Sequence, residues 1–216
     1  MNYHKGMQSK RSIPLALSSI YAVYFILGYI LLTRFGLSLA TGKLNGPWSI
    51  FTGNFLFDEW SNVVYFVYAM GMLTLLILSI DLNFSNKMYL SLAVLPFILS
   101  SVGTGIAYGM GAVVSGQSGV MSVFGGMFVV YVTLEYIKRL QNVPKNSSVK
   151  ATTILIFLFV IVMAVCLFSS IGVVLIDHFV SFTLGIVSGV FTYKSNFHFS
   201  RLAPNDRSLV QPQEVL

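Results

Sequence analysis

The sequence predicts an all-α membrane protein built as a bundle of six transmembrane helices. Three observations carry this. Of the 216 residues, 56% are hydrophobic and only 9% are charged, where a soluble domain averages about 25% charged. Six apolar stretches approach the roughly 20 residues a helix needs to cross a bilayer core of about 30 Å. The cations, finally, fall almost entirely on one side of a six-span path, which the positive-inside rule makes the cytoplasm.

In order, residues 1–12 read as a cytoplasmic segment carrying Lys5, Lys10 and Arg11, followed by a first span at 13–33. That run has the length of a span and ends in no small-residue cleavage pattern, so it is not a signal peptide. Residues 34–60 form the longest loop, on the outer side, with Trp48, Phe51 and Phe55 at helical spacing. Such an aromatic load suits the headgroup layer. Spans follow at 61–80 and 88–108, with Lys87 between them. Residues 103–119 hold six glycines (103, 105, 109, 111, 116 and 119), a composition suited to an irregular, re-entrant connection. The fourth span is placed at 117–137, and a basic loop (Lys138, Arg139, Lys145, Lys150) leads to a fifth at 151–171. The sixth, at 177–194, is short, and the tail 195–216 reads as disordered. Only Arg34 and Lys43 of the thirteen cations fall on the outer side. Both termini are therefore expected in the cytoplasm, and 13–194 is one membrane domain.

The net charge of +6 follows from that bias and points to no nucleic-acid partner. Cys166 is the single cysteine and lies mid-span, so no intrachain disulfide and no cysteine metal cluster is expected. No metal-ligand spacing or phosphate loop appears, and no cofactor is expected. His4 and His198 fall in the polar ends, and Asp58 and Glu59 at a solvated loop edge. Glu135 reads as a surface partner of Lys138 or Arg139.

The chemistry-bearing constellation is Gly116-Gln117-Ser118-Gly119 at the start of span 4, with His178 at the start of span 6. An ionisable residue at membrane depth is a functional hypothesis by default. A serine between glycines at a helix start is approachable by a substrate backbone. Both residues begin outer-to-inner helices, so they share a depth. Ser118, Ser122 and Gly126 recur every four residues on span 4, as do Ser181, Gly185 and Gly189 on span 6. Facing such small-residue stripes lets membrane helices approach closely and brings Ser118 against His178. Asp177 is set aside as a third member, because neighbours at i, i+1 do not face each other on a helix.

Gly116-Gln117-Ser118-Gly119 with Gly126 below it, followed by His178 and Gly185, resembles the rhomboid family of intramembrane serine proteases. The likeness covers the six spans in order and the long outer loop, most of 13–194. It implies a rhomboid-like six-helix bundle in which Ser118 is the nucleophile and His178 its general base. Serine chemistry requires such an adjacent base. The implied activity is endopeptidase cleavage of single-span membrane proteins near the outer face of a cell membrane. Oligomeric state is left open.

Several positions depart from the family. Its His-x-x-x-Asn early in span 2 is replaced by Ser61-Asn62-Val63-Val64-Tyr65-Phe66. The aromatic four residues after the nucleophile is Ser122, the glycine three after the histidine is Ser181, and the outer-loop Trp-Arg pair is missing. Asn62 is then the candidate oxyanion donor beside the Ser118 N–H, with Gly116 and Gly119 supporting the turn. These departures sustain an alternative: a catalytically weak or inactive rhomboid-like protein that binds transmembrane helices.

Overall fold

The computed structural model describes residues 3–35, 45–57, 60–80, 84–112, 117–140, 154, 156–158, 160–161 and 172–202. Among these every regular element is helical. Helix α1 spans Tyr3–Phe35; α2, Ser49–Thr52, runs into a 3-10 turn at Gly53–Phe55; α3 spans Trp60–Ile80, α4 Asn86–Gly109, α5 Ser118–Leu140 and α6 Val173–Leu202. Four stretches are long and apolar enough to cross a membrane: Leu15–Phe35, Asn86–Gly109, Ser118–Lys138 and Val173–Ser195. The chain is thus an all-α, multi-pass membrane protein.

Two expectations about the elements change. Helix α1 begins at Tyr3, ahead of its membrane-crossing stretch at Leu15, so the expected first span is extended as helix on its N-terminal side. Helix α6 starts at Val173 and continues to Leu202, which makes it 30 residues long rather than a short span. The glycine-rich stretch is helical through Gly109, where α4 ends in a tight turn with Gly111 at φ 78°. In the bilayer a helix satisfies its own backbone, so glycines there serve close packing instead of irregularity. Most of the span expected at 151–171 lies outside the described residues, as do 203–216. Within it Ile154, Phe157, Leu158, Val160 and Ile161 are helical and exposed.

Helix α5 is the centre of the bundle. Buried residues make up 78% of its membrane-crossing stretch, against 28% for α1 and α6 and 33% for α4. On one side an aromatic cluster joins four helices at one level. The buried ring of Tyr21 (α1) stacks on Phe66 (α3) at 4.5 Å, meets Phe124 (α5) edge-on at 5.2 Å and lies 5.6 Å from Phe97 (α4). Its hydroxyl repairs a helix defect. Pro96 inside α4 has no N–H for the carbonyl of Leu92, and Tyr21 Oη donates to that carbonyl at 2.9 Å.

On the other side α5 and α6 run in parallel contact. A Cβ on Gly126 would strike the carbonyl oxygen of Phe182 and lie 2.9 Å from Ile186 N. One on Gly185 would strike the Val123 carbonyl, and one on Gly189 would sit 3.1 Å from Met127 Cα. These glycines place backbone against backbone, the small-residue packing that membrane helices use without a hydrophobic driving force between them.

Candidate functional site

The stripes that meet are shifted from those the sequence suggested. On α5 the contact line runs Gly119, Val123, Gly126, Val130, and on α6 it meets Asp177, Phe182, Gly185 and Gly189. Gly126, Gly185 and Gly189 keep their packing role. Ser181 does not: it turns toward α4, where its Oγ lies 2.6 Å from the position a Cβ on Gly103 would take. Ser122 sits beside the line, and its hydroxyl donates to the Ser118 carbonyl at 2.8 Å.

The register of the pair is fixed lower down. Tyr131 and Thr192, 61 positions apart, share a hydrogen bond, and Tyr193 Oη donates to Glu135 Oε1 across 58 positions at 3.0 Å. Ser118 and His178 are separated by a comparable interval and begin the same two parallel helices, so they lie at the same depth. His178 is buried and Ser118 is half-buried. The hydrogen bonds among described residues include none between Ser118 Oγ and the His178 ring.

The turn before Ser118 is anchored to α1. Gln117 is fully buried, and its Nε2 donates to the Tyr24 carbonyl at 3.1 Å. The same amide presses on Gly28, where any side chain would collide with it and with the Phe55 carbonyl. Tyr24 holds the outer loop too, its hydroxyl donating to the Asn54 carbonyl. One residue of α1 therefore fixes both the outer loop and the serine turn. Gly116 lies outside the described residues.

Asn62 lies on the buried face of α3 with Phe66, Ala69 and Leu73, at spacing 0, 4, 7, 11. Phe66 is 5.5 Å from Phe124, ring to ring. Asn62, one turn above Phe66, is therefore level with the first turn of α5. It is the third residue of α3, which begins at Trp60, and so does not occupy the N-cap position. Ser61 is exposed, and Tyr65 is buried.

Two polar residues matter more than the sequence indicated. Asn54, in the outer loop, is 3% exposed and reaches into the bundle. Its Oδ1 accepts from Thr104 Oγ1 at 2.8 Å, while its Nδ2 donates to the Ile50 carbonyl at 3.1 Å and approaches Ser101 Oγ at 3.5 Å. Trp48 and Phe51 are exposed, as an interfacial segment requires. Asp177 is 2% exposed, and its carboxylate points toward α4, with Oδ1 3.4 Å from Ser181 Oγ. Glu135 also differs from expectation. It does pair with Lys138 at 3.5 Å, but it is buried rather than on the surface, against Tyr193.

Chemically, the Ser118 hydroxyl lies at the N-terminus of α5, the His178 imidazole near the start of α6 and the Asn62 carboxamide near the start of α3. That set can supply a nucleophile, a base and oxyanion donors. No protein-family model, curated protein or solved structure matches the chain.

Proposed function

We propose that this protein is an intramembrane serine endopeptidase of rhomboid-like, six-span architecture. In this reading Ser118 attacks the scissile carbonyl while His178 takes its proton and later returns it to the leaving amine. The Ser118 N–H, at the positive end of the α5 dipole, and the Asn62 carboxamide stabilise the oxyanion. The observation that carries the reading is the common register of α5 and α6, since a Ser118–His178 pair requires two parallel helices in contact at that offset. Apo sites are often looser than the hydrogen bond that forms with substrate, so a missing direct bond is compatible with a dyad. The natural substrates would be single-span segments with helix-breaking residues near the outer face, since peptide bonds within a helix are shielded. Span 2 corresponds to α3, 21 residues long, and the fifth span to 151–171. Both termini would lie in the cytoplasm, because Lys87, Lys138 and Lys194 gather at the end opposite Ser118.

A second reading is a non-catalytic rhomboid-like protein that binds transmembrane helices. The buried carboxylate of Asp177 beside the first turn of α5 favours it, since a negative charge there opposes an oxyanion. Fluorophosphonate labelling of the purified protein separates the two. The protease reading expects labelling and cleavage of a single-span test substrate, both lost in Ser118→Ala by at least about 1,000-fold without a change in melting temperature. Absence of labelling in the wild-type protein, with substrate binding retained, decides for the binder.

A further inference from the structure

Helix α5 starts at a residue that is not chosen for starting helices. The Gln117 carbonyl accepts the first bond of the helix, from the Met121 N–H at 3.0 Å, which puts Gln117 at the cap position. Serine, threonine, aspartate and asparagine are preferred there, because a short side chain turns back onto the free N–H groups of the first turn. The Gln117 carboxamide is instead fully buried, and its Nε2 donates to the Tyr24 carbonyl of α1 at 3.1 Å. A long amide taken out of water at this position serves α1 as well as its own helix.

Helix α1 is shaped to receive it. Leu17, Tyr21, Tyr24 and Gly28 fall at spacing 0, 4, 7, 11 on its buried face, and only the last lacks a side chain. A helical carbonyl accepts the N–H four residues on and keeps a second lone pair. Over the Tyr24 carbonyl the residue four places on is Gly28, which leaves that lone pair open to Gln117. A Cβ on Gly28 would strike both the Gln117 amide and the Phe55 carbonyl. The outer loop closes on the same turn of α1: the Phe57 N–H donates to the Gly28 carbonyl at 3.3 Å, and the Tyr24 hydroxyl donates to the Asn54 carbonyl. Beyond Ser118, the point where a Cβ on Gly119 would sit is 3.6 Å from Asn54 Oδ1. Both chain neighbours of Ser118 are therefore bounded from outside α5, one by a hydrogen bond to α1 and one by contact with the outer loop.

We propose that Gln117 is a positioning residue for Ser118: its carboxamide, seated over Gly28 on the Tyr24 carbonyl, fixes where α5 begins and so where the Ser118 side chain and N–H stand. Its catalytic consequence rests on the endopeptidase reading above. A nucleophile and an oxyanion donor carried by one residue move together when the turn before it shifts, and a displacement of about 1 Å can cost on the order of 100-fold in rate.

Gln117→Met keeps the length of the side chain and removes the donor. In the purified full-length protein it should slow fluorophosphonate labelling and lower kcat on a single-span substrate by about 10- to 100-fold, with KM unchanged. Gly28→Ala, which displaces the same amide from the side of α1, should act in the same direction. A Gln117 that only stabilises the fold gives instead a lower melting temperature and a wild-type kcat, and that result overturns the proposal. A second measurement does not need the endopeptidase reading. In a Cys166→Ala background, free of the single native cysteine, the thiol introduced by Ser118→Cys is alkylated with a maleimide. Adding Gln117→Met should change the alkylation rate several-fold. An unchanged rate overturns the proposal, whether or not the wild-type protein labels. A changed rate in a protein whose wild type never labels keeps Gln117 as the anchor of the turn and removes only the endopeptidase reading.

Discussion

The two halves of the α5–α6 pair are built by opposite rules. In the inner half, glycine backbones meet at Gly126, Gly185 and Gly189, and polar side chains cross the interface and find each other: Tyr131 with Thr192, and Tyr193 with Glu135. In the outer half the polar side chains bond within their own helix or to other elements. Ser122 returns to Ser118, Asp177 to Ser181, and Gln117 to α1. The same two helices are therefore knitted together below and held apart in their chemistry above. A polar group satisfied across an interface adds rigidity, whereas one left with spare capacity can engage a substrate. The inner half carries the register and the outer half uses it.

The sharpest way to break this division is to disrupt the inner half and read the outer. Gly185→Leu puts a side chain where even a methyl would strike the Val123 carbonyl. Overpacking of this kind costs about 1–3 kcal/mol or more, and backbone against backbone leaves little room to relax. Cleavage should fall by about 100-fold or more as Ser118 and His178 lose their common level, since a displacement of about 1 Å can have that effect. Wild-type turnover and melting temperature in Gly185→Leu would show that the outer half does not depend on this contact.

Next in size is Asn62→Ala, which acts on the outer half alone. Removing an oxyanion donor lowers kcat by roughly 100- to 1,000-fold, about 2.7–4 kcal/mol, with KM little changed. Because Asn62 is buried but is the third residue of α3 and not its cap, kcat should fall well beyond what any drop in melting temperature accounts for. Ser61→Ala and Tyr65→Phe are the comparisons. Normal turnover in Asn62→Ala would remove Asn62 from the site and leave the Ser118 N–H without this partner.

The contrast also explains what the sequence could reveal. Hydropathy made the four long apolar helices legible because a bilayer demands length and apolarity. The glycines of the inner half were legible because close approach demands small residues, and Gly126, Gly185 and Gly189 sit where that logic put them. The outer half was harder to read, because polar contacts there depend on rotation about the helix axis. A difference of one residue turns a side chain by about 100°. Thus Ser181, expected to face α5, faces α4, and the α5 contact line passes through Gly119 rather than Ser118. Asn54 was hidden for another reason: its role arises from the fold of the outer loop onto α4, a contact between residues about fifty positions apart. Period and motif carry no trace of it.

Tyr193→Phe probes the inner half more gently. It removes the hydroxyl that donates to the buried Glu135 carboxylate at 3.0 Å. Hydrogen bonds to charged groups are worth about 1.5–3 kcal/mol. Lys138 remains, at 3.5 Å, as a weaker partner, so a loss near the lower end is expected. Turnover of the surviving folded protein should be unchanged, because two glycine contacts still set the register. A drop in kcat with an unaltered melting temperature would contradict the assignment of stability to the inner half and chemistry to the outer.

The smallest effect gives the cleanest comparison, because it makes the same substitution twice on one helix. Gly119 and Gly126 lie two turns apart on the line of α5 that meets α6. A methyl at Gly119 finds its nearest neighbours at 3.4–3.6 Å, whereas at Gly126 it strikes the Phe182 carbonyl and lies 2.9 Å from Ile186 N. Neither glycine has a positive φ, so the backbone tolerates alanine at both and only the surroundings differ. Gly119→Ala should be neutral or gain up to about 1 kcal/mol, the usual benefit of replacing a helical glycine. Gly126→Ala should lose about 1–3 kcal/mol by overpacking. Thermal unfolding of the two variants side by side reads the difference directly. Equal melting temperatures would mean that the helices separate as easily at Gly126 as at Gly119, and the distinction between the two halves would not hold.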